Sequence, residues 1–156
     1  GVEFGGALKN VIAIGSGIGE GLNVGANARA AFLTRGLSEM TRLGVALGAR
    51  QETFSGLSGL GDLLATTSSS RSRNRHVGEQ LACGLSVEEI LSGMVHVAEG
   101  IETTRAAWTL AQEVGIELPI INAMYQVLFK ELKPDNAISE LMARQAGEES
   151  SGYYEM

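Results

Sequence analysis

Helical periodicity runs through almost the whole chain, and this pattern limits the possible folds more than any other feature. Apolar residues recur every three or four positions, and no segment shows the strict alternation of a half-buried strand. Residues 27–47 form the longest such segment, with strong helix formers and apolar residues on more than one face, so we expect this helix to be central. Gly48 follows as a helix C-cap, and Pro119 and Pro134 each stand where a new helix would begin. The pattern predicts an all-α domain of about seven or eight helices around one core over residues 1–146, followed by a mobile acidic tail over residues 147–156.

The alternating glycines of residues 8–21 must be distinguished from a dinucleotide-binding loop. That fingerprint needs G-x-G-x-x-G at the start of a helix, directly after a strand. Here Glu20 occupies the position of the third glycine, and the segment that follows is helical rather than a strand. We therefore interpret residues 8–19 as a buried helix lined with small residues, which allow another helix to approach closely.

Two serines are expected to cap helices. Ser86 and Glu89 have the Ser-x-x-Glu spacing of a capping box. Ser58 precedes the short apolar segment that Asp62 opens, and we expect its hydroxyl to cap that helix. A further helix is predicted over residues 74–82.

Charge and cysteine content exclude several classes of protein. The chain has 12 basic and 18 acidic residues, which gives a net charge of −6 and argues against general nucleic-acid binding. Cys83 is the one cysteine, so an internal disulfide is impossible and a reducing, cytoplasmic setting is expected. One cysteine and two distant histidines make no zinc ligand set. No apolar run is long enough to span a bilayer.

Residues 61–75, GDLLATTSSSRSRNR, have a composition that few packing requirements explain. Asp62 opens a short apolar helical segment, and a serine-rich turn follows it. Arg71, Arg73 and Arg75 then stand at alternate positions. Guanidinium groups, hydroxyls and an amide are the groups that hold an oxyanion such as a phosphate ester. The alternative is a solvated loop with an exposed charge run. If the segment is extended, alternation turns Arg71 and Arg75 away from the face that Arg73 occupies.

Four motifs in order give the chain a family resemblance: GGALKN at residues 5–10, GLGDL at 59–63, SRNR at 72–75 and VAEG at 97–100. Together they resemble the C-terminal, substrate-binding domain of bacterial NAD(P)-dependent glycerol-3-phosphate dehydrogenases. The resemblance implies an all-helical domain of the 6-phosphogluconate dehydrogenase C-terminal type, which in the family follows an N-terminal Rossmann domain. It also implies a homodimer that interconverts dihydroxyacetone phosphate and sn-glycerol 3-phosphate and so supplies phospholipid synthesis.

The Rossmann domain is expected to be missing from this chain, which starts abruptly and lacks the fingerprint. NAD or NADP would be held mainly by that domain, so the chain alone is expected to show negligible turnover.

The resemblance also assigns roles to individual residues. Lys9 would transfer the proton, and Asp62 would orient Lys9 and bind a substrate hydroxyl. Thr66 lies one helical turn after Asp62 and would face the same side. The substrate contacts implied by the motifs are Lys9, Asp62, Thr66, Ser72, Arg73 and Asn74. The cofactor contacts implied by the motifs are Arg73, Val97 and Glu99.

Three of these residues also have a purely structural interpretation. Lys9 can be a lysine whose stem is buried and whose ammonium reaches solvent, and Asp62 and Glu99 can be acids that favour a helix start. Two other functions stay open. A helical domain from another hydroxyacid or sugar-acid dehydrogenase would need a carboxylate-binding pattern in place of SRNR. A non-catalytic interaction module would leave Lys9, Asp62 and Arg73 scattered in space.

Overall fold

The computed structural model describes residues 1–144, and this part of the chain contains nine α-helices, one π-helical turn and no strand. The helices are α1 (Val2–Gly21), α2 (Ala26–Ala46), α3 (Glu52–Ser55), α4 (Asp62–Ser68), α5 (Arg73–Ala82), α6 (Val87–Ser92), α7 (Glu99–Val114), α8 (Pro119–Phe129) and α9 (Pro134–Ala143), and the π turn is Leu57–Gly61. The all-α prediction is confirmed. The tail predicted over residues 147–156 lies outside the described residues. Among the described helices, none has the combination of length and apolar content that crossing a membrane requires.

Helix α1 is the centre of the fold, and α2, α4, α5, α7 and α8 all pack against it. Val11, Ile12 and Ile14 are fully buried. The prediction that residues 27–47 form the central helix is wrong, because no residue of α2 before Gly36 is buried. Between residues 10 and 20, α1 carries apolar or small side chains on all sides, so neighbours can approach from every direction. The first half of α2 instead carries polar side chains such as Arg29.

Two glycines determine how α5 lies against α1. A Cβ on Gly17 would lie 2.0 Å from the carbonyl oxygen of Arg75, and a Cβ on Gly78 would lie 1.9 Å from the carbonyl oxygen of Ile14. The two backbones therefore touch with no side chain between them. This confirms the prediction that residues 8–19 form a buried helix whose small residues admit another helix. The contact fixes α5 beside the segment of α1 that carries Lys9.

The cap predictions have mixed outcomes. The capping box at α6 is confirmed, since the Ser86 amide donates to Glu89 Oε2 at 2.7 Å and the Glu89 amide donates to Ser86 Oγ at 3.2 Å. Pro119 and Pro134 are the first residues of α8 and α9, as predicted. The prediction for Ser58 is wrong, because its hydroxyl donates to the Thr53 carbonyl oxygen at 3.3 Å. The helical backbone of the π turn continues directly into α4, so the first amides of α4 need no side-chain cap.

Candidate functional site

An ion pair between α1 and α4 forms one wall of the candidate site. Lys9 Nζ donates to Asp62 Oδ2 at 2.5 Å, although the two residues are 53 positions apart in sequence. The Lys9 side chain is 21% exposed and the Asp62 side chain is 38% exposed, so both partners are accessible from solvent while most of the lysine stem is covered. Asp62 reaches this position because it is the first residue of α4, immediately after the π turn. Single π turns of this kind occur frequently at functional sites.

Lys9 also lines an open cleft of about 400 Å³. Most of the cleft residues come from the end of α4, the serine-rich loop and the start of α5. The residues that line it are Lys9, Asn10, Ala65, Thr66, Ser69, Arg71, Ser72, Arg73 and Asn74. Four of the residues singled out in the sequence as substrate contacts therefore surround the same space as Lys9. Asp62 adjoins it through its bond to Lys9.

The start of α5 holds the SRNR segment in place. Ser72 is the N-cap of α5, and its hydroxyl oxygen accepts a bond from the Arg75 amide at 3.3 Å. Arg73 is the first helical residue and is exposed, so its guanidinium is available to a ligand. Asn74 is only 8% exposed, and its Oδ1 accepts a bond from the Gly100 amide at 2.9 Å. The segment is therefore a helix start rather than an extended strand.

As a consequence, only two of the three arginines face the cleft. Arg75 faces away from the cleft, where it pairs with Glu79 at 2.9 Å and its guanidinium donates to the Ser68 carbonyl oxygen at 3.3 Å. Arg75 lies off the face of Arg73, as expected, although the expectation assumed an extended backbone and this segment is a helix start. The same expectation for Arg71 is wrong, because Arg71 lines the cleft together with Arg73. It was based on an extended backbone, whereas Arg71 lies in the turn before the helix.

Val97 and Glu99 lie outside the residues that line the cleft, at the start of α7. Val97 is 66% exposed, and Glu99 is the exposed first residue of the helix. The bond between Gly100 and Asn74 joins this helix start to the start of α5. Val97 and Glu99 therefore lie near the cleft but outside it, since Asn74 lines the cleft and is bonded to the neighbouring Gly100.

The cleft combines cations with hydrogen-bond donors and acceptors. Lys9, Arg71 and Arg73 carry positive charge, in a chain whose net charge is −6, so the field that attracts an anion is local. Within residues 1–144 no group of three His, Cys, Asp or Glu side chains is arranged to hold a metal ion. The arrangement can bind an oxyanion next to an ammonium–carboxylate pair that can move a proton.

Sequence reasoning missed two residues that shape this part of the fold. Gly100 was noted only as the last residue of the VAEG motif, although its amide donates a hydrogen bond to Asn74 Oδ1. Glu39 in α2 is 3% exposed, and its carboxylate accepts bonds from the amides of Ile120 at 2.7 Å and Ile121 at 3.1 Å. The only sequence signal for the role of Gly100 was a weak one, a glycine at the second position of a helix. The sequence held no signal for the role of Glu39, since its partners are about 80 residues away.

Comparisons with known proteins agree with the geometry. The profile of a family described as NAD-dependent glycerol-3-phosphate dehydrogenase C-terminus matches residues 1–139. A glycerol-3-phosphate dehydrogenase (NAD(P)+) of Syntrophotalea carbinolica is 57% identical over 144 residues, covering 92% of this chain and 43% of that protein. The corresponding protein of Oleidesulfovibrio alaskensis is 56% identical over 149 residues, covering 96% of this chain and 45% of that protein.

A solved structure gives the same result for the fold. The crystal structure of glycerol-3-phosphate dehydrogenase from Coxiella burnetii superposes with a TM-score of 0.88 at 43% identity, covering 92% of this chain and 44% of that one. The chain thus spans less than half the length of these relatives. The matched profile, the identities and the superposition together show that the chain belongs to the family of C-terminal domains of NAD-dependent glycerol-3-phosphate dehydrogenases.

Proposed function

We propose that this chain is the substrate-binding and proton-transferring part of an enzyme that interconverts dihydroxyacetone phosphate and sn-glycerol 3-phosphate with NAD(P)H. The observation that carries the proposal is the Lys9–Asp62 ion pair at the wall of a cleft that Arg71 and Arg73 also line. An ammonium serves the carbonyl end of such a substrate and guanidinium groups serve its phosphate end. The family membership of the chain supports the same assignment.

Lys9 supplies the proton in the direction of ketone reduction. Negative charge develops on the substrate carbonyl oxygen, and the Lys9 ammonium stabilises this charge and then donates its proton to the oxygen. Asp62 holds the ammonium by the 2.5 Å bond through Oδ2, and the other oxygen of this partly exposed carboxylate can accept a bond from a substrate hydroxyl. In the reverse direction the neutral Lys9 amine takes the hydroxyl proton.

The phosphate is bound at the start of α5. Arg73 offers its guanidinium fork to two phosphate oxygens, which is the geometry that planar recognition of phosphate favours. The Ser72 oxygen accepts the Arg75 amide bond, and its O–H proton is still available for a phosphate oxygen. Thr66 also lines the cleft, and its hydroxyl is a further group that can bond to the substrate. The other end of the substrate then lies toward Lys9.

NAD or NADP is the cofactor of this proposal, and when bound it supplies the hydride. The residues beside the cleft fit an edge of such a nucleotide. Val97 offers an exposed apolar surface at the start of α7, and the Glu99 carboxylate can accept a bond from a ribose hydroxyl. Arg73 lines the same cleft as Lys9 and is the third contact in this proposal. A Rossmann domain of the complete protein would hold the rest of the cofactor.

The wider setting follows from the same proposal. The complete protein would be a cytoplasmic homodimer that supplies glycerophospholipid synthesis, and its partners would be the small phosphorylated substrate and its own nucleotide-binding domain. Nucleic acid is not a partner in this proposal, because the net charge of −6 opposes binding to a polyanion.

The test is steady-state oxidation of NADH and NADPH by dihydroxyacetone phosphate, with the complete protein that carries this chain. We expect turnover with this substrate and none with dihydroxyacetone, which lacks the phosphate. Lys9→Ala should abolish turnover, while its circular dichroism spectrum stays that of the wild type. Near-normal turnover in Lys9→Ala would refute the proton-transfer role. Turnover of a hydroxyacid or sugar acid in place of dihydroxyacetone phosphate would favour the related dehydrogenases instead.

A further inference from the structure

Two helix starts meet beside the cleft, and one side chain joins them. Asn74 is the second residue of α5, and Gly100 is the second residue of α7. The Gly100 amide donates to Asn74 Oδ1 at 2.9 Å, and this bond is buried. Residue Ala98 at the N-cap of α7 has no side-chain oxygen, so Asn74 performs the capping function for α7 from another helix.

The residue at position 100 has to be small for this bond to form. A Cβ at Gly100 would lie 2.6 Å from Asn74 Oδ1 and 2.8 Å from the carbonyl oxygen of Asn10. It would also lie 3.0 Å from Cδ1 of Ile14. Because backbone atoms are among these contacts, α7 would have to move away from α1 and α5 to accommodate even a methyl group. The close approach of α7 therefore depends on glycine at this position.

The bond also fixes which end of the Asn74 amide reaches the cleft. A backbone amide is a donor, so the group that faces Gly100 must be the Asn74 oxygen. The NH₂ group of Asn74 is then the part of the amide that is left for the cleft that this residue lines. Two N–H donors in a fixed direction suit a substrate oxygen that carries negative charge.

We propose that Gly100 is a positioning residue for the reaction, which acts by holding the Asn74 amide with its NH₂ group turned to the phosphate end of the substrate. This inference rests on the proposed function. It assigns to the VAEG segment a role in substrate binding, separate from the cofactor contacts of Val97 and Glu99. A rotated amide would present its oxygen to the phosphate and would repel it.

A double-mutant cycle in the complete protein tests the proposal. Gly100→Ala, Asn74→Ala and the double variant are compared by their KM for dihydroxyacetone phosphate. The loss of one hydrogen bond to a charged group predicts a KM that is roughly ten- to hundred-fold higher for Gly100→Ala, with a smaller change in kcat. In the Asn74→Ala background, Gly100→Ala should change KM by less than about twofold, since the residue through which it acts is gone. Gly25→Ala is the control, because a Cβ at Gly25 meets nothing within 4 Å, and it should keep the wild-type KM.

Additive effects of the two substitutions would overturn the proposal, and so would an unchanged KM in Gly100→Ala. If Gly100→Ala does not fold, Asn74→Asp provides the test. The aspartate keeps an oxygen for the Gly100 amide but replaces the NH₂ group by a second oxygen. We expect a wild-type thermal midpoint, an unchanged KM for NAD(P)H and a KM for dihydroxyacetone phosphate raised roughly ten- to hundred-fold or more. A wild-type KM for dihydroxyacetone phosphate in this variant would show that Asn74 is only a cap.

The failure of this inference is distinct from the failure of the proposed function. If the wild type turns over dihydroxyacetone phosphate and the cycle is additive, only the role of Gly100 is wrong. If the wild type does not turn over this substrate, the proposed function is wrong. The same cycle is then measured as the Kd of inorganic phosphate by isothermal titration calorimetry. Coupling between Gly100 and Asn74 in that Kd supports the positioning role, and additivity overturns it.

Discussion

Replacing Glu39 by glutamine should destabilise the fold through the start of α8. The carboxylate is 3% exposed and accepts two backbone bonds, from the Ile120 amide at 2.7 Å and from the Ile121 amide at 3.1 Å. A glutamine keeps one acceptor oxygen and turns an NH₂ group toward the other amide, so one buried donor loses its partner. A hydrogen bond to a charged group contributes roughly 1.5–3 kcal/mol, and a buried unpaired donor costs a similar amount. We therefore expect a loss of about 2–3 kcal/mol in the free energy of unfolding, which lowers the thermal midpoint by roughly 5–10 °C.

The single tryptophan provides a local probe for this experiment. Trp108 in α7 stacks on Tyr125 of α8 with ring centroids 4.1 Å apart, and its indole N–H donates to Asn122 Oδ1 at 3.1 Å. Urea unfolding followed by tryptophan fluorescence therefore reports the contact between α7 and α8. Glu113→Gln removes the same charge from an exposed position of α7 and is the matched control. A free energy of unfolding for Glu39→Gln within about 0.5 kcal/mol of that control would refute the reasoning.

Three further predictions concern close packing, the ion pair and pH. Gly17→Ala should lower the free energy of unfolding by about 2–3 kcal/mol in thermal denaturation, because the added Cβ has no room. Gly6→Ala in the same helix is the control, since a Cβ there meets nothing within 4 Å, and it should be neutral or more stable. Equal thermal midpoints for the two variants would contradict this reasoning. Asp62→Asn in the complete protein should lower kcat roughly ten- to hundred-fold while the circular dichroism spectrum is kept, and a wild-type kcat would show that Asp62 does not orient the lysine. The pKa of Glu89 is lowered by the bond from the Ser86 backbone amide and then by the Ser86 hydroxyl, so its stabilisation is complete above the unfolded-state pKa and is lost as pH falls through the folded-state pKa. The unfolding midpoints of wild type and Glu89→Gln should therefore converge below about pH 4, and a difference that is constant with pH would contradict the capping role.

The helices themselves were predictable because their signals are local. Pro119 and Pro134 begin helices, since a proline lacks the amide that the first turn leaves unpaired anyway. The Ser86–Glu89 box forms because both partners lie within one turn of each other. The prediction for Ser58 was wrong because it too used only a local signal. Its position before Asp62 suits an N-cap, but Ser58 lies in a π turn that continues directly into α4, and no sequence pattern predicted that turn.

The relative importance of the helices was not predictable from periodicity. The helix predicted over residues 27–47 is longer than the apolar part of α1, yet the first half of α2 has no buried residue. Burial depends on how many neighbours can approach, and at α1 this follows from backbone contact at Gly17. A glycine in a helix looks like a weak point in the sequence and becomes a packing site only when a second helix meets it.

The candidate site divides in the same way between sequence and structure. Residue types and motif order were enough to propose Lys9, Asp62 and Arg73 as site residues, because proton transfer and phosphate binding each require particular functional groups. The direction of each group depends on contacts between helices that are distant in sequence. Arg71 and Arg73 line the cleft, whereas Arg75 pairs with Glu79, because the segment is a helix start instead of an extended strand.

The sequence alone predicted an all-α chain, its family and a set of candidate site residues, since these predictions depend on residue type and short spacing. The tertiary structure alone established that Lys9 reaches Asp62 across 53 positions and that Gly100 holds Asn74 across 26 positions. It also placed the Glu39 carboxylate at the start of α8. Bonds of this kind depend on the distance between backbones, and that distance is determined by packing of the whole domain, which no local pattern records.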